Sequence, residues 1–464
     1  MVTQVQDKDT IRFIVEKQKN FFNSGATLPL NFRIKQLKKL FKAVSEAEKD
    51  ICDAMHKDFR KSPVEVYGTE ISLVLKETKY FLRNLPKLMR PERVRSSLAS
   101  FPARTYIYHE PFGQSLIIGP WNYPLMLMLQ PLAGAIAAGN CVIMKPSELA
   151  SNTSALIAKL IKDNFDDSYI SVLEGGPTIT QQLLIHKFDV IFFTGSERVG
   201  KIVYEAAAKT LTPCILELGG KSPCIVDEDA NIDLAARRIS WGKLVNGGQS
   251  CVAPDYLFVH RKVKDKLLSK MQTNVTKYFG ENIEESEDLT LIINDAHFSR
   301  LQNYLSDGTI VFGGKSNSDK RYIEPTLLDN VSWDDRVMKE EIFGPILPVL
   351  TFDNLDDVIT KINEQPKPLA LYYFSTKKRK QDKILNTISF GGGCINDTML
   401  QFASPSIPVG GVGPSGMGSY HGKQSFIAFS NAIGIVKKSN IIDVPLRYPP
   451  YKGKYGLIKW ILNL

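Results

Sequence analysis

The sequence predicts an α/β protein with two doubly wound parallel-sheet domains and a small additional β element. Three observations predict it. Short, wholly apolar runs alternate with helical stretches between about residues 114 and 220, as expected for strands covered on both faces of a parallel sheet. The alternation resumes after Gly220 with longer and more polar helices. The 464 residues exceed one simple core, so two or three lobes are expected.

Each element can be justified in order. Residues 10–90 read as helices, with "FRIKQLKKLFKAVSEAEKDICDAM" placing apolar residues three and four apart on a charged background. "RPERVRSSLASFPARTYIYHEP" breaks that pattern, and its "TYIYHE" alternates like an exposed strand. Then come strand and helix in turn: "GQSLIIG", "LMLMLQPLAGAIAAG", "CVIMKP", "NTSALIAKLIKDNF", "ISVLEGG", "TITQQLLIHK", "DVIFFTGS", "ERVGKIVYEAAAK" and the strand "CILELGG". Such sheets bind ligands at the carboxyl ends of their strands. "DEDANIDLAARRISWGKLV" and "HRKVKDKLLSKMQTNVTKYF" open a second α/β domain that runs to about residue 410.

Composition narrows the class. With 43% hydrophobic and 23% charged residues the chain is an ordinary globular protein. Six cysteines without C-x-x-C spacing point to free thiols in a reducing, cytoplasmic setting. The six histidines are scattered and none pairs with a cysteine at zinc-finger spacing, so no metal is expected. A net charge of +9 suits solubility and phosphate-bearing ligands, and no nucleic-acid module is present. The amino terminus lacks an apolar leader, and no window reaches the ~20 apolar residues of a membrane span. Residues 437–464 carry six basic residues against Asp443 and end in the apolar octamer "LIKWILNL".

Five stretches carry candidate chemistry. In "NGGQSCVAPD", residues 246–255, Cys251 sits among small polar residues, and Gly247 and Gly248 permit close approach of the main chain. A presented nucleophile and a buried structural cysteine are equally open on that stretch alone. In "FFTGSERVG", Gly195 and Ser196 follow an apolar strand, and Ser196 suits an N-cap whose free N–H groups would bind a pyrophosphate; an ordinary capped turn fits as well. Asn122 in "GPWNYP" is either a rigid oxyanion donor or an asparagine satisfying a turn. Glu217 ends the strand of "LELGGKSP" as a structural carboxylate or a poorly solvated base. Glu340 and Glu341 precede the apolar turn of "KEEIFGP" and read equally as surface charge. A formal G-x-G-x-x-G at Gly411, Gly413 and Gly416 lacks the strand–helix context, contains Pro414 and reads as a glycine-rich connection between domains.

Taken in order, "PWNYP", "KPSE", "FTGSERVG", "LELGGK", "GGQSC" and "EEIFGP" closely resemble the aldehyde dehydrogenase superfamily over about residues 30–436. The short amino terminus, "CVAPDY" and "GMGSYHGKQSFIAFS" followed by "RYPPY" resemble its class 3 branch of fatty and aromatic aldehyde dehydrogenases. The resemblance implies a dinucleotide-binding domain at 1–90 and 112–213, a catalytic domain at 214–410, a bridging and dimerisation element at 91–111 and 424–438, and a basic tail at 439–464. It implies Cys251 as nucleophile, with Asn122 and the Cys251 N–H as oxyanion donors and Glu217 activating the deacylating water. Lys145 and Glu148 would hold the adenosine ribose, Gly195 and Ser196 would lie near the pyrophosphate, Glu341 would bind the nicotinamide ribose, and Phe343 would pack near the nicotinamide. "FTGSERVG" departs from the "YTGN" form of many class 3 members, which touches only the detail of phosphate contact.

The implied activity is NAD(P)-dependent oxidation of aldehydes to acids, through a thiohemiacetal and a thioester on Cys251. NAD is the expected cofactor with NADP tolerated, because Glu148 would repel a 2′-phosphate and Lys145 partly offset that. A CoA-acylating enzyme and an idle structural relative are the alternatives. Glu217 argues against the first, and the intact set of Cys251, Glu217 and Asn122 against the second. The apolar "WNYPLMLM" and the class 3 resemblance favour medium- or long-chain aliphatic, or aromatic, substrates. The resemblance also implies a homodimer. The tail would either meet a membrane surface without crossing it or pack on its own dimer.

Overall fold

The computed structural model describes residues 8–463. Residues 1–7, which belong to the stretch read as lacking a leader, and Leu464 of the tail lie outside the described residues. The helical start is as patterned: Lys8–Asn23, Leu30–Glu46, Glu48–Phe59 and Ser72–Leu88. Their apolar stripes, including Leu37, Leu40, Ile51, Met55, Val74 and Phe81, pack on the wholly buried helix Met126–Ala138 and on the first sheet.

That sheet has the order Gly416–Met417, Cys214–Glu217, Val190–Thr194, Gln114–Ile118, Cys141–Lys145, Ile170–Val172. All neighbours are parallel except the first pair. The second sheet runs Thr309–Phe312, Thr326–Asp329, Ile346–Phe352, Tyr256–His260, Pro223–Val226, Ala370–Phe374, Gly392–Ile395. It too is parallel apart from its first pair. Both sheets have helices against their apolar faces, as the alternation predicts.

The expected start of the second domain at residue 214 is corrected. Strand Cys214–Glu217 pairs in parallel with Val190–Thr194, Thr194 opposite Glu217, so it completes the first sheet. The glycine-rich stretch at 411–417 is more than a connection. It returns to cover that sheet's edge, with Gly416 opposite Glu217 and the Leu218 N–H donating to Ser415 O at 3.1 Å.

A third sheet joins Glu92–Val94, Ala103–Pro111 and Ser430–Lys438. The last strand pairs along nine positions with the middle one and leaves its other edge unpaired among the described residues, with Val436 54% exposed. The tail ends in the helix Tyr455–Leu462, beside the turn Leu98–Ser100, with none of its residues buried. No helix among the described residues is long and apolar enough to cross a membrane.

Candidate active site

Four neighbouring parallel strands end side by side at Lys145, Ile118, Thr194 and Glu217. Numbered along the chain from Gln114–Ile118, the five parallel strands run 3-2-1-4-5. In sheets of this order the ligand crevice lies where the order reverses, here between the ends marked by Gly119 and Gly195. Ser196 caps helix Glu197–Ala208, its hydroxyl accepting the Val199 N–H. The Gly195 N–H donates to Glu217 O at 3.0 Å, linking this turn to the neighbouring strand end. One strand beyond, buried Lys145 donates to the Glu148 carboxylate at 2.7 Å. Thr194 Oγ1 is buried without a hydrogen-bond partner among the described residues, so a polar ligand atom fits there.

The turn before Cys251 contains successive left-handed residues, Asn246 (φ 57°), Gly247 (φ 60°) and Gly248 (φ 75°). A Cβ on Gly247 would lie 2.5 Å from Thr290 O, and one on Gly248 would lie 2.3 Å from Gly344 O. The close approach that these glycines permit is to the protein's own main chain. The Asn246 amide donates to Asn122 O at 2.8 Å and Gln249 O at 3.0 Å. Gln249 donates to Asn246 O and Leu291 O, both at 3.0 Å, and accepts from Ile293 N–H at 3.0 Å. Asn122 Nδ2 donates to Gln249 O at 3.1 Å, which engages one of its two N–H groups. Asn122 thus sits beside the main chain that leads into Cys251.

Glu217 is 4% exposed, and its Oε1 has no partner among the described residues. Glu341 reaches in from the other domain over Gly219, where a Cβ would lie 2.1 Å from its Oε2; its Oε1 is also unpartnered among the described residues. Glu340 points elsewhere, to the Tyr304 hydroxyl and Arg300, and carries surface charge as the plainer reading had it. The Glu341 segment is fixed by its main chain. Arg300 donates to Glu341 O at 3.2 Å and Ile342 O at 2.7 Å, and Asp255 accepts the Ile342 N–H at 2.8 Å. Lys221 pairs with Asp255 and donates to Val337 O and Glu340 O at 3.0 Å. Phe343 meets Trp121 edge to face at 5.4 Å. Of "WNYPLMLM" only Trp121 is more than marginally exposed; Tyr123 and Leu125–Met128 are core. Their apolar character serves packing, which corrects their use as a guide to substrate.

Cys251 is partly buried. Burial, then the nearby Glu341 and Glu217 carboxylates, raise its thiol well above the ordinary value. Burial also raises Glu217 well above the usual carboxylate range. Burial and Asp255 push Glu341 up to about 8, against the pull of the Gly220 N–H, Lys221 and Arg300. Sequence reasoning missed Asn246, Gln249, Arg300 and the Lys221–Asp255 pair. Asn246, Gln249 and Lys221 stand inside or beside motifs already quoted, but nothing local shows that their distant partners lie 34 to 181 residues away.

A strand order that opens a dinucleotide-type crevice, together with a cysteine that feels two buried carboxyl groups and follows a main chain held by an amide, fits one class, an α/β enzyme that joins nucleotide binding to thiol chemistry. Comparison makes this specific. The profile described as the aldehyde dehydrogenase family matches residues 2–433. The chain is 50% identical to the 4,4′-diaponeurosporen-aldehyde dehydrogenase of Staphylococcus aureus, covering 95% of this chain and 96% of that one. It is 46% identical to aldehyde dehydrogenase family 3 member A2 of Pongo abelii, covering 96% and 93%. A solved structure, the substrate-bound state of Staphylococcus aureus AldH, superposes with a TM-score of 0.96 at 48% identity, covering 97% and 99%. The chain belongs to the aldehyde dehydrogenase family, in its class 3 branch, and is an NAD(P)-dependent enzyme that oxidises aldehydes.

The raised thiol sets a pH dependence. Below its pKa, the thiolate fraction grows about tenfold per pH unit. Alkylation of Cys251 by iodoacetamide in the cofactor-free enzyme, followed on its own peptide by mass spectrometry, should climb steadily between about pH 7 and 9. A rate already level at neutral pH would show a depressed thiol instead.

Proposed function

We propose that the enzyme oxidises medium- or long-chain aliphatic, or aromatic, aldehydes to carboxylic acids by covalent catalysis on Cys251. The observation that supports this reading is a partly exposed Cys251 whose thiol feels the buried, unpartnered Glu217, with the Asn122 amide bonded to Gln249 O two residues before it. The Cys251 thiol gives its proton to solvent, Sγ bonds to the aldehyde carbon, and the carbonyl π pair moves to the oxygen, which becomes an oxyanion. Asn122 Nδ2 and the Cys251 N–H donate to that oxygen, an interaction typically worth 10²–10³ in rate per donor. NAD, when bound, supplies the hydride acceptor. Water then attacks the acyl carbon on Cys251 Sγ as Glu217 takes the water's proton; the C–S bond breaks, its pair going to Sγ, and the Cys251 thiolate leaves with release of the acid. A carboxyl group raised by burial is a strong base once ionised, which suits Glu217 to that step.

The cofactor contacts follow the crevice. Lys145 and Glu148 hold the adenosine ribose, Gly195 and Ser196 the pyrophosphate and Glu341 the nicotinamide ribose, with Phe343 against the nicotinamide ring. The unpartnered oxygens of Thr194 and Glu341 fit such a ligand. Glu148, 38% exposed at its side chain and paired with Lys145, disfavours a 2′-phosphate.

The chain also forms a homodimer in this account, supported by the nine-residue edge strand Ser430–Lys438. Helix Tyr455–Leu462 needs a cover for Leu457, Trp460 and Leu462, which are 52%, 63% and 63% exposed. The partner chain or an anionic membrane surface provides one. A cytoplasmic setting suits six cysteines without disulfides.

Three experiments test these readings. Aldehyde-dependent NADH formation should proceed without CoA and gain nothing from it, with a higher kcat/KM for NAD than for NADP. A requirement for CoA would show acyl transfer, and equal or better use of NADP would remove the role given to Glu148. Light scattering should give twice the 52.0 kDa chain mass at micromolar concentration; a monomer mass contradicts the dimer. Deleting 457–464 should lower the melting temperature if the tail packs on the dimer. It should instead abolish sedimentation with anionic vesicles at low salt if the tail meets a membrane.

A further inference from the structure

Buried charges lie behind the cysteine turn and take no part in the chemistry above. Lys61 and Glu70 form an ion pair at 3.0 Å with both side chains 0% exposed. Glu70 uses its other oxygen to accept the Leu125 and Met126 N–H groups, each at 3.0 Å, at the start of helix Met126–Ala138. Asn122 lies just before that start. Glu65 Oε1 accepts the Asn246 N–H at 2.7 Å. Lys61 Nζ also stands 4.3 Å from the centroid of the Tyr123 ring, next to Asn122. In an α-helix residues five apart diverge by about 140°. Here a π turn at Tyr67–Ile71 follows the short helix Pro63–Val66, a local widening often found at functional sites. The segment carries one carboxylate to each arm that bears an oxyanion donor. Burial raises both carboxyl groups, and Lys61 opposes that for each.

We propose that Glu65 and Glu70, the second paired with Lys61, are positioning residues that fix the two oxyanion donors relative to each other. Glu70 holds the arm of Asn122. Glu65 holds left-handed Asn246, whose amide ties Asn122 O to Gln249 O and so sets the path into the Cys251 N–H. A side-chain oxygen fixed on the Asn246 N–H suits the task of holding a non-glycine residue at positive φ. The inference rests on the proposed roles of Asn122 and Cys251.

The test uses Glu65, because its removal leaves the Lys61–Glu70 pair intact. Glu65→Ala should lower kcat for aldehyde oxidation about ten- to a hundredfold with KM within about threefold, the size of a small misplacement of donors. Glu65→Gln, which keeps an oxygen for the Asn246 N–H, should recover most of the loss. Alkylation of Cys251 by iodoacetamide, a displacement that forms no oxyanion, should change less than about threefold. In an Asn122→Ala background Glu65→Ala should cost less than about threefold more, because Glu65 acts by setting the Cys251 N–H against Asn122 Nδ2 and that partner donor is gone. The inference is overturned by a kcat within about twofold of wild type, by alkylation falling in step with kcat, or by equal losses in both backgrounds. Should Glu65→Ala not fold, Glu65→Asp withdraws the carboxylate by one methylene and is judged by the same criteria. If Asn122→Ala alone leaves kcat unchanged, the donor role of Asn122 fails and takes this inference with it; the other outcomes fail this inference alone.

Discussion

The site depends on the left-handed turn Asn246–Gly248. Three successive residues at positive φ are costly for an L-chain, and glycine meets that cost at two of them. Asparagine, tolerant of this conformation, occupies the third and repays it with hydrogen bonds. Its side chain bridges Asn122 O and Gln249 O. The Gln249 side chain reaches Leu291 O and the Ile293 N–H in the next loop. The contacts of Gly247 with Thr290 and of Gly248 with Gly344 leave the turn no room to relax. Asn122, the Cys251 main chain, the loop at 290–293 and the turn at Gly344 are therefore one mechanical unit, although they come from distant parts of the chain.

Electrostatics act on that unit in one direction. Cys251, Glu217 and Glu341 are all raised, chiefly by burial. The buried cation Lys243 is lowered to about 8, again by burial first, and its Nζ has no hydrogen-bond partner among the described residues. The pocket thus favours neutral forms of its groups. In a poorly solvated site a carboxylate or thiolate, once formed, is more basic or nucleophilic than in water, and fixed N–H donors count for more. Each acid then needs a way to lose its proton, which ties the chemistry to pH and to the unpartnered oxygen of Glu217.

Much of this is legible in the sequence for a definite reason. Buried parallel strands are short and wholly apolar, and their carboxyl ends carry the polar residues, so the apolar pattern alone puts Lys145, Gly195, Ser196 and Glu217 at strand ends. The cysteine turn is marked by its glycines. What the pattern misses is information held in register and in distant contact. The run "CILE" closes the first alternation, although the domain bounds implied by the resemblance put it in the second domain; its pairing with Val190–Thr194 keeps it in the first sheet. Leu125–Met128 are apolar because the helix is buried on every side, a signal indistinguishable from an apolar pocket. The 411–417 stretch reads as a linker because glycine marks both loops and tight edge pairing. Glu65 and Glu70 resemble ordinary helical surface charge, since a π turn leaves no periodic signature.

The central claim is that Cys251 carries the acyl group and Glu217 removes it by activating water. The direct measurement is rapid mixing of a Glu217→Gln variant with NAD and aldehyde, followed by mass spectrometry of the Cys251 peptide. A fast burst of NADH of about one equivalent per site, a slow steady state, and a Cys251 peptide heavier by the acyl group are expected. A lost burst with unmodified Cys251 would contradict the claim, and would move Glu217 to an earlier step such as deprotonation of the thiol.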